Sequence, residues 1–131
     1  MSKKIVKWFA PDLGAAQRVI TEIMDQAAPF LSAEEASYLK LILCELLANA
    51  VEHGGYGTIR DQIVVRVGIV PEVGVVVATG DRSGKPGAVS DPEETLLSER
   101  GRGLLILSAI CESLAFRDST RLMVARRRFG T

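Results

Sequence analysis

The feature that most constrains the fold is a long helix predicted over residues 33–52. Ser32 and Glu35 have the spacing of a capping box, in which each side chain accepts from the other residue's backbone N–H. Gly54 and Gly55 are typical of a helix end. A helix of this length in a chain of 131 residues must bury its apolar stripe against another layer, so the remaining elements are expected to pack around it.

The rest of the chain predicts strands and two further helices. A strand over residues 5–9 precedes Asp12, a candidate N-cap for a helix that runs to about residue 28 and is ended by Pro29. Later predicted elements are strands 62–70 and 73–78, a helix over residues 103–112, and strands 114–117 and 122–129. This last helix has too many apolar residues for a surface helix, so we expect it to pack on a sheet.

The order β-α-α-β-β-loop-α-β-β separates helices from mainly antiparallel strands. It predicts the α+β class, as a two-layer α/β sandwich formed by one domain over residues 1–131. Residues 81–100 contain glycine and proline and show no sustained periodicity, so they are predicted to form a loop. A loop of that length in a small domain is usually functional or mobile.

Composition excludes several classes of function. Lys plus Arg and Asp plus Glu both number 16, so no global field favours direct nucleic-acid or membrane-surface binding. No run reaches the roughly 20 apolar residues of a membrane span. Cys44 and Cys111 lie in apolar stretches that predict helix, where a free thiol behaves as a small hydrophobe. These features predict a soluble protein of the reducing cytoplasm.

The long helix is predicted to have two distinct faces. At about 100° per residue, Glu45, Asn49 and Glu52 share a polar stripe. A separate apolar stripe contains Leu39, Leu43, Leu46, Leu47 and Ala50. One interpretation of the polar stripe is the solvated side of an amphipathic helix.

The other interpretation is a metal and catalytic site. Leu41, Ile42 and Ala48 flank the polar stripe, so Glu45 and Asn49 are predicted to lie in apolar surroundings. An amide and a carboxylate one turn apart suit Mg²⁺, because the amide oxygen is a hard ligand and the carboxylate can orient a nucleophile.

Two other features argue against particular classes of catalytic or nucleotide-binding site. His53 is the only histidine, which argues against Ser-His-Asp triads and zinc clusters, and it can equally cap the helix C-terminus. Gly84-Lys85 is followed by Pro86 where a P-loop requires serine or threonine.

Gly101 and Gly103 open the apolar helix. Glycines at a helix N-terminus let backbone N–H groups approach phosphate, although they also serve as ordinary turn residues. Arg100 and Arg102 flank these glycines and could neutralise part of the phosphate charge. The alternative is that they are a solvated pair beside an acidic loop. The arginines at 126–128 end a strand and are predicted to protect a sheet edge.

Taken in order, these motifs resemble the ATPase superfamily of gyrase B, heat-shock chaperones, histidine kinases and MutL. Glu45-Leu-Leu-Ala-Asn49-Ala-Val-Glu-His53-Gly54 is similar to the N box of anti-sigma-factor serine kinases. Asp81 with Gly84 is similar to the G1 box, and Glu99-Arg-Gly101-Arg-Gly103-Leu-Leu-Ile to the G2 box. The resemblance covers roughly residues 5–129.

The resemblance implies a Bergerat ATPase fold that binds ATP and Mg²⁺. By carry-over, Asn49 would ligate Mg²⁺ and Glu45 would be the general base. Asp81 would accept a hydrogen bond from the adenine amino group, and Gly84 would let the backbone approach the base. Gly101 and Gly103 would cradle phosphate. The remaining implied nucleotide-binding residues are His53, Arg100, Arg102 and Leu104. The family usually has Asp-x-Gly-x-Gly, whereas Ser83 stands at the first glycine position here.

The resemblance further implies a protein serine kinase of the anti-sigma type. Its substrate would be a serine on a STAS-type anti-anti-sigma antagonist, and it would sequester a sigma factor. Alternatives are a nucleotide-gated binding module without kinase activity and a switch kinase that activates a phosphatase. A histidine sensor kinase fragment is disfavoured, because no dimerising helix with a phosphoacceptor histidine precedes the N box and the chain has the size of a complete domain. A homodimer through a strand edge or the first helix stays open.

Overall fold

The computed structural model describes residues 2–54, 63–81, 101–117 and 122–130. Its order of elements agrees with the order expected from the sequence. The elements are β1 (Lys3–Phe9), α1 (Leu13–Ala27), α2 (Ala33–Gly54), β2 (Ile63–Val70), β3 (Gly74–Asp81), α3 (Gly101–Ile110), β4 (Ser113–Arg117) and β5 (Leu122–Arg128). None of the helices in these ranges has an apolar stretch that could span a membrane.

Local side-chain contacts fix where the first two helices begin. The Asp12 carboxylate accepts a 2.9 Å hydrogen bond from the Ala15 N–H, which confirms Asp12 as the N-cap of α1. At α2, the Ser32 N–H donates to Glu35 Oε1 at 2.8 Å and the Glu35 N–H donates to Ser32 Oγ at 3.1 Å. The capping box is therefore present, and a short 3-10 turn containing Pro29 separates the two helices.

The five strands within the described residues form one antiparallel sheet in the order β1-β2-β3-β5-β4. Register partners run across it in rows, for example from Ile5 to Val67, Val77 and Ala125. These four residues are at most 3% exposed and point to the same side of the sheet. That side is its inner face, which packs against α1 and α2 and encloses the core.

The apolar stripe of α2 supplies much of this core. Leu39, Leu43, Leu46 and Leu47 are all fully buried, as the sequence predicted. The expectation for α3 is only partly met. Leu107 is fully buried, but Ile106 is 38% exposed, because α3 packs mainly against the neighbouring helix α2 and only its end approaches β4.

Two predictions made from local sequence are wrong. The arginines at 126–128 do not protect a sheet edge, because β5 is hydrogen-bonded to β3 on one side and β4 on the other. The prediction for the cysteines fails in part: Cys44 lies in α2 as expected but is exposed, and Cys111 is half-buried one residue beyond the end of α3, not inside it. Burial raises the pKa of the Cys111 thiol, and the nearby Arg127 guanidinium partly opposes that rise.

Candidate functional site

Asn49 lies in the second half of α2 and is half-buried. Its Nδ2 group donates a 3.8 Å hydrogen bond to the sulfur of Met123 on β5. Because the amide nitrogen is used in this contact, the amide oxygen faces away from that sulfur. A side-chain amide oxygen is a hard ligand, so Asn49 keeps a group that could bind a cation.

Glu45 lies one helical turn before Asn49 and is also half-buried. Its predicted apolar surroundings are confirmed on one side only. Ile42 is fully buried, whereas Leu41 and Ala48 are exposed. The helical angle explains this difference, since Ile42 lies between Glu45 and the core stripe and the other two lie beyond Glu45. The carboxylate is therefore at the boundary between core and solvent, where a cleft can form.

Glu52 completes the polar stripe of α2. It is half-buried, and one of its carboxylate oxygens is shielded from solvent. The stripe as a whole is thus not the freely solvated side of an amphipathic helix. The interpretation of the stripe as a metal and catalytic site stays a prediction.

Met123, the contact of Asn49, is paired across the sheet with Thr79 of β3. Thr79 is 3% exposed and is the only buried polar residue in the described part of the chain. Asp81 follows two residues later, roughly 7 Å along the strand, and ends β3. Asp81 is predicted from the sequence, whereas Thr79 and Met123 are not. The signal was available, since a hydroxyl replaces valine in the inward-facing series of β3.

The glycine motif forms the first turn of α3, which begins at Gly101 and includes Arg102, Gly103 and Leu104. The expectation that it opens a helix is confirmed, two residues earlier than predicted. Because α3 packs against α2, the fold brings this helix alongside the one that carries Asn49. Unbonded N–H groups at such a helix start suit a phosphate group.

Several predicted site residues are not placed by the structure. Ser83, Gly84 and Arg100 lie outside the described residues. His53 lies in the last turn of α2, which extends to Gly54. The structure therefore locates the backbone of His53 and leaves the choice between a helix cap and a nucleotide contact as a prediction.

The ligands that the described side chains offer can be compared with those that Mg²⁺ prefers. Among them, no group of three or more His, Cys, Asp and Glu residues could hold a metal. Mg²⁺ normally takes one or two protein oxygens, retains water and completes its shell with substrate phosphate. One amide oxygen with a carboxylate a turn away fits that mode of binding, in which the nucleotide brings most of the ligands.

Arg127 connects three elements at a place away from Asn49, because its partner Tyr38 lies about three turns earlier on α2. Its guanidinium stacks on the Tyr38 ring of α2, with 3.6 Å between Cζ and the ring centroid, and donates a hydrogen bond to the Ile110 carbonyl at the end of α3. Both contacts suit a cation, since the ring face is electron-rich and the C-terminus of a helix carries partial negative charge. The side chain thereby joins α2, α3 and β5.

Comparison with known families agrees with this arrangement. A family model described as the histidine kinase-like ATPase domain matches residues 10–127, which is most of the chain. The five-stranded antiparallel sheet with helices on its inner face is consistent with the two-layer fold of such ATPases. No curated protein matches the chain.

Proposed function

Because the chain belongs to the histidine kinase-like ATPase domain family, we propose that it is a Mg²⁺- and ATP-dependent protein serine kinase of the anti-sigma regulatory type. Its substrate would be a serine on a STAS-type anti-anti-sigma antagonist. In the proposed cycle, phosphorylation of that antagonist leaves the kinase free to sequester a sigma factor in the cytoplasm.

One observation carries the proposal: Glu45 and Asn49 lie half-buried one turn apart on α2, with the Asn49 amide held by Met123. A protein that only binds a nucleotide needs the metal ligand but has no use for an adjacent carboxylate. Phosphoryl transfer needs both, because it depends on positioning, charge neutralisation and acceptance of a proton.

The proposed roles follow from these positions. Bound Mg²⁺ and ATP would supply the phosphoryl group, with Asn49 holding the metal through its amide oxygen and Gly101 and Gly103 offering backbone N–H groups to phosphate. The serine hydroxyl oxygen forms the new bond to the γ-phosphorus, and ADP leaves as the bond to its β-phosphate oxygen breaks. Glu45 accepts the hydroxyl proton.

The test is transfer of labelled γ-phosphate to candidate antagonists by a Glu45→Gln variant. Loss of the base is expected to lower transfer by about 10²- to 10⁴-fold, while the affinity for Mg-ATP, measured by calorimetric titration, stays within about twofold. Glu34→Gln is the matched control, since Glu34 is an exposed carboxylate in the first turn of the same helix.

Each outcome has a distinct meaning. Full transfer by Glu45→Gln would remove Glu45 from the role of base. Wild-type protein that binds nucleotide but yields no phosphoprotein with any STAS-type antagonist would replace the kinase proposal with a nucleotide-gated binding module. Phosphoprotein that activates a phosphatase, without sigma-factor binding, would identify a switch kinase.

A further inference from the structure

In its described part, helix α3 buries little of its own side-chain surface. Among residues 106–110, whose burial the structure describes, only Leu107 is fully buried. Ile106, Ser108 and Ala109 are exposed. Since apolar burial provides most of the energy that holds packed elements together, the orientation of α3 depends on the contacts that other elements make with it.

Strand β5 makes two hydrogen bonds at the end of α3. The Arg127 guanidinium donates to the carbonyl of Ile110, the last residue of the helix. The Arg126 carbonyl accepts a 2.7 Å hydrogen bond from the Glu112 N–H, two residues later. The second hydrogen bond joins two backbone groups, whereas the first belongs to a side chain and can be removed by substitution.

The Arg127 guanidinium is itself oriented by α2, because it lies on the Tyr38 ring with 3.6 Å between Cζ and the ring centroid. A planar cation with one face on an aromatic ring has fewer orientations open to it, so its N–H groups are directed before they meet an acceptor. The two contacts together fix the end of α3 relative to α2, the helix that carries Asn49.

The opposite end of α3 carries the glycine motif. Gly101 lies six residues before Leu107, about 9 Å along the helix axis, and Ile110 lies three residues after it, about 4.5 Å. With the buried Leu107 as the fixed point, a tilt that moves Ile110 by about 1 Å moves Gly101 by about 2 Å. Hydrogen bonds to phosphate are lost by such a displacement, since N–H···O bonds form only between about 2.7 and 3.2 Å.

We propose that Arg127 is a positioning residue for nucleotide binding, a role that rests on the proposed function, in which the N–H groups of Gly101 and Gly103 bind phosphate. By holding the last carbonyl of α3 against α2, Arg127 aligns those N–H groups with the phosphates. It acts through α3 and does not touch the nucleotide, because it contacts the end of α3 opposite to the glycine motif.

This role predicts a selective loss of affinity. Asp81, to which the family resemblance assigns the adenine amino group, ends β3 and does not belong to α3. A tilt of α3 therefore weakens the contacts with phosphate and leaves those with the base. A residue that only stabilised the fold would instead change the affinities for a nucleotide and for its nucleoside by the same factor.

The test compares the affinities of the wild type and Arg127→Met for ATP, ADP and adenosine. Each is measured by calorimetric titration with Mg²⁺ present, at a temperature where both proteins are folded. Methionine keeps an unbranched apolar stem and removes the guanidinium. Because apparent affinity falls with the population of the binding-competent state, the Kd for ATP and ADP is expected to rise about tenfold, and that for adenosine by less than about twofold.

Three further variants assign the effect to this contact. Arg126→Met is the matched control, because its exposed side chain lies on the opposite side of β5, and all three affinities are expected to stay unchanged. Tyr38→Leu removes the ring on which the guanidinium lies and is expected to reproduce the selective loss. Arg127→Lys keeps a cation that can donate to the Ile110 carbonyl and is expected to recover part of the affinity for ATP.

Hydrogen exchange of the ligand-free protein gives a readout that needs no nucleotide. The backbone N–H groups of residues 101–110 are expected to exchange faster in Arg127→Met than in the wild type, because the end of α3 opens more often. Those of Leu43, Leu46 and Leu47 in the buried stripe of α2 are expected to stay protected, which shows that the variant is folded. Should Arg127→Met fail to fold, Arg127→Lys and Tyr38→Leu carry the same comparison.

Two results would overturn the positioning role and leave the proposed function intact. The first is a folded Arg127→Met protein that binds ATP as tightly as the wild type, with unchanged exchange in α3. The second is a loss of affinity by the same factor for ATP and adenosine, which would reduce Arg127 to a residue that stabilises the fold. A wild type that binds none of the three ligands would contradict the proposed function and the positioning role together.

Discussion

Arg127 is the residue whose role differs most from the one its sequence context predicts. In the run of arginines at 126–128 it resembles a surface cation. Alternation along β5 nevertheless places it on the inner side with Met123 and Ala125, where Tyr38 and the Ile110 carbonyl receive it. Counting in steps of two from Met123 would have found this orientation, but the identities of its partners depend on how distant segments pack.

Replacing Arg127 tests how much its contacts with Tyr38 and the Ile110 carbonyl contribute to the free energy of unfolding. Arg127→Ala is expected to lower the free energy of unfolding by about 2 kcal/mol, because the ring contact and the helix-end hydrogen bond are both lost. Urea titration at a fixed low protein concentration would measure it. Arg128→Ala is the control: its exposed ion pair with Glu112, at 3.5 Å, is expected to contribute less than about 1 kcal/mol. Equal losses in the two variants would contradict the assigned role.

At the scale of elements, the helix α2 shows what short-range sequence can specify. Its start depends on a capping box within four residues, and its buried stripe depends on a fixed helical period. Both are local properties, so the sequence predicted them correctly. The order of the strands is not local, because β5 pairs with β3 across two intervening elements. That is why the arginines of β5 were mistaken for edge residues.

The capping box of α2 can be tested directly. Ser32→Ala removes the acceptor for the Glu35 N–H and is expected to destabilise the protein by about 1 kcal/mol. Ser37→Ala on the same helix is the matched control, since its hydroxyl only donates to a carbonyl already within the helix. Thermal or urea unfolding of both variants would check the difference. A Ser32→Ala protein as stable as the wild type would show that packing alone sets the start of α2.

In the candidate site too, residues close in sequence could be predicted and residues brought together by the fold could not. Glu45 and Asn49 were found because they are one helical turn apart on a single element. Thr79 and Met123 were missed because their proximity to Asn49 requires α2 to lie across the β3–β5 pair. Residues contributed by one helix are thus visible in sequence, and the strand residues beneath them become visible only in the folded sheet.

Considered as a whole, the molecule is a sheet with two different sides. The inner face packs against α1 and α2, and α3, which begins with the glycine motif, packs against α2. The other face of the sheet carries Val6 and Trp8, which are 49% and 46% exposed. The proposed nucleotide site is therefore confined to the helix-covered side of the sheet.

Thermal stability measured with and without nucleotide tests whether the folded protein binds ATP. A ligand that binds only the native state stabilises it by about 2.7 kcal/mol at one hundred times its Kd, so Mg-ATP and Mg-ADP are expected to raise Tm by several degrees. Asn49→Ala removes the amide oxygen and should lose the Mg²⁺-dependent part of the rise, whereas Glu34→Gln should keep it. Differential scanning calorimetry with each nucleotide, with Mg²⁺ or with a chelator, would measure this. An Asn49→Ala protein that retains the full Mg²⁺-dependent shift would exclude Asn49 as the ligand, and a wild type that shows no shift at saturating nucleotide would contradict the ATP site itself.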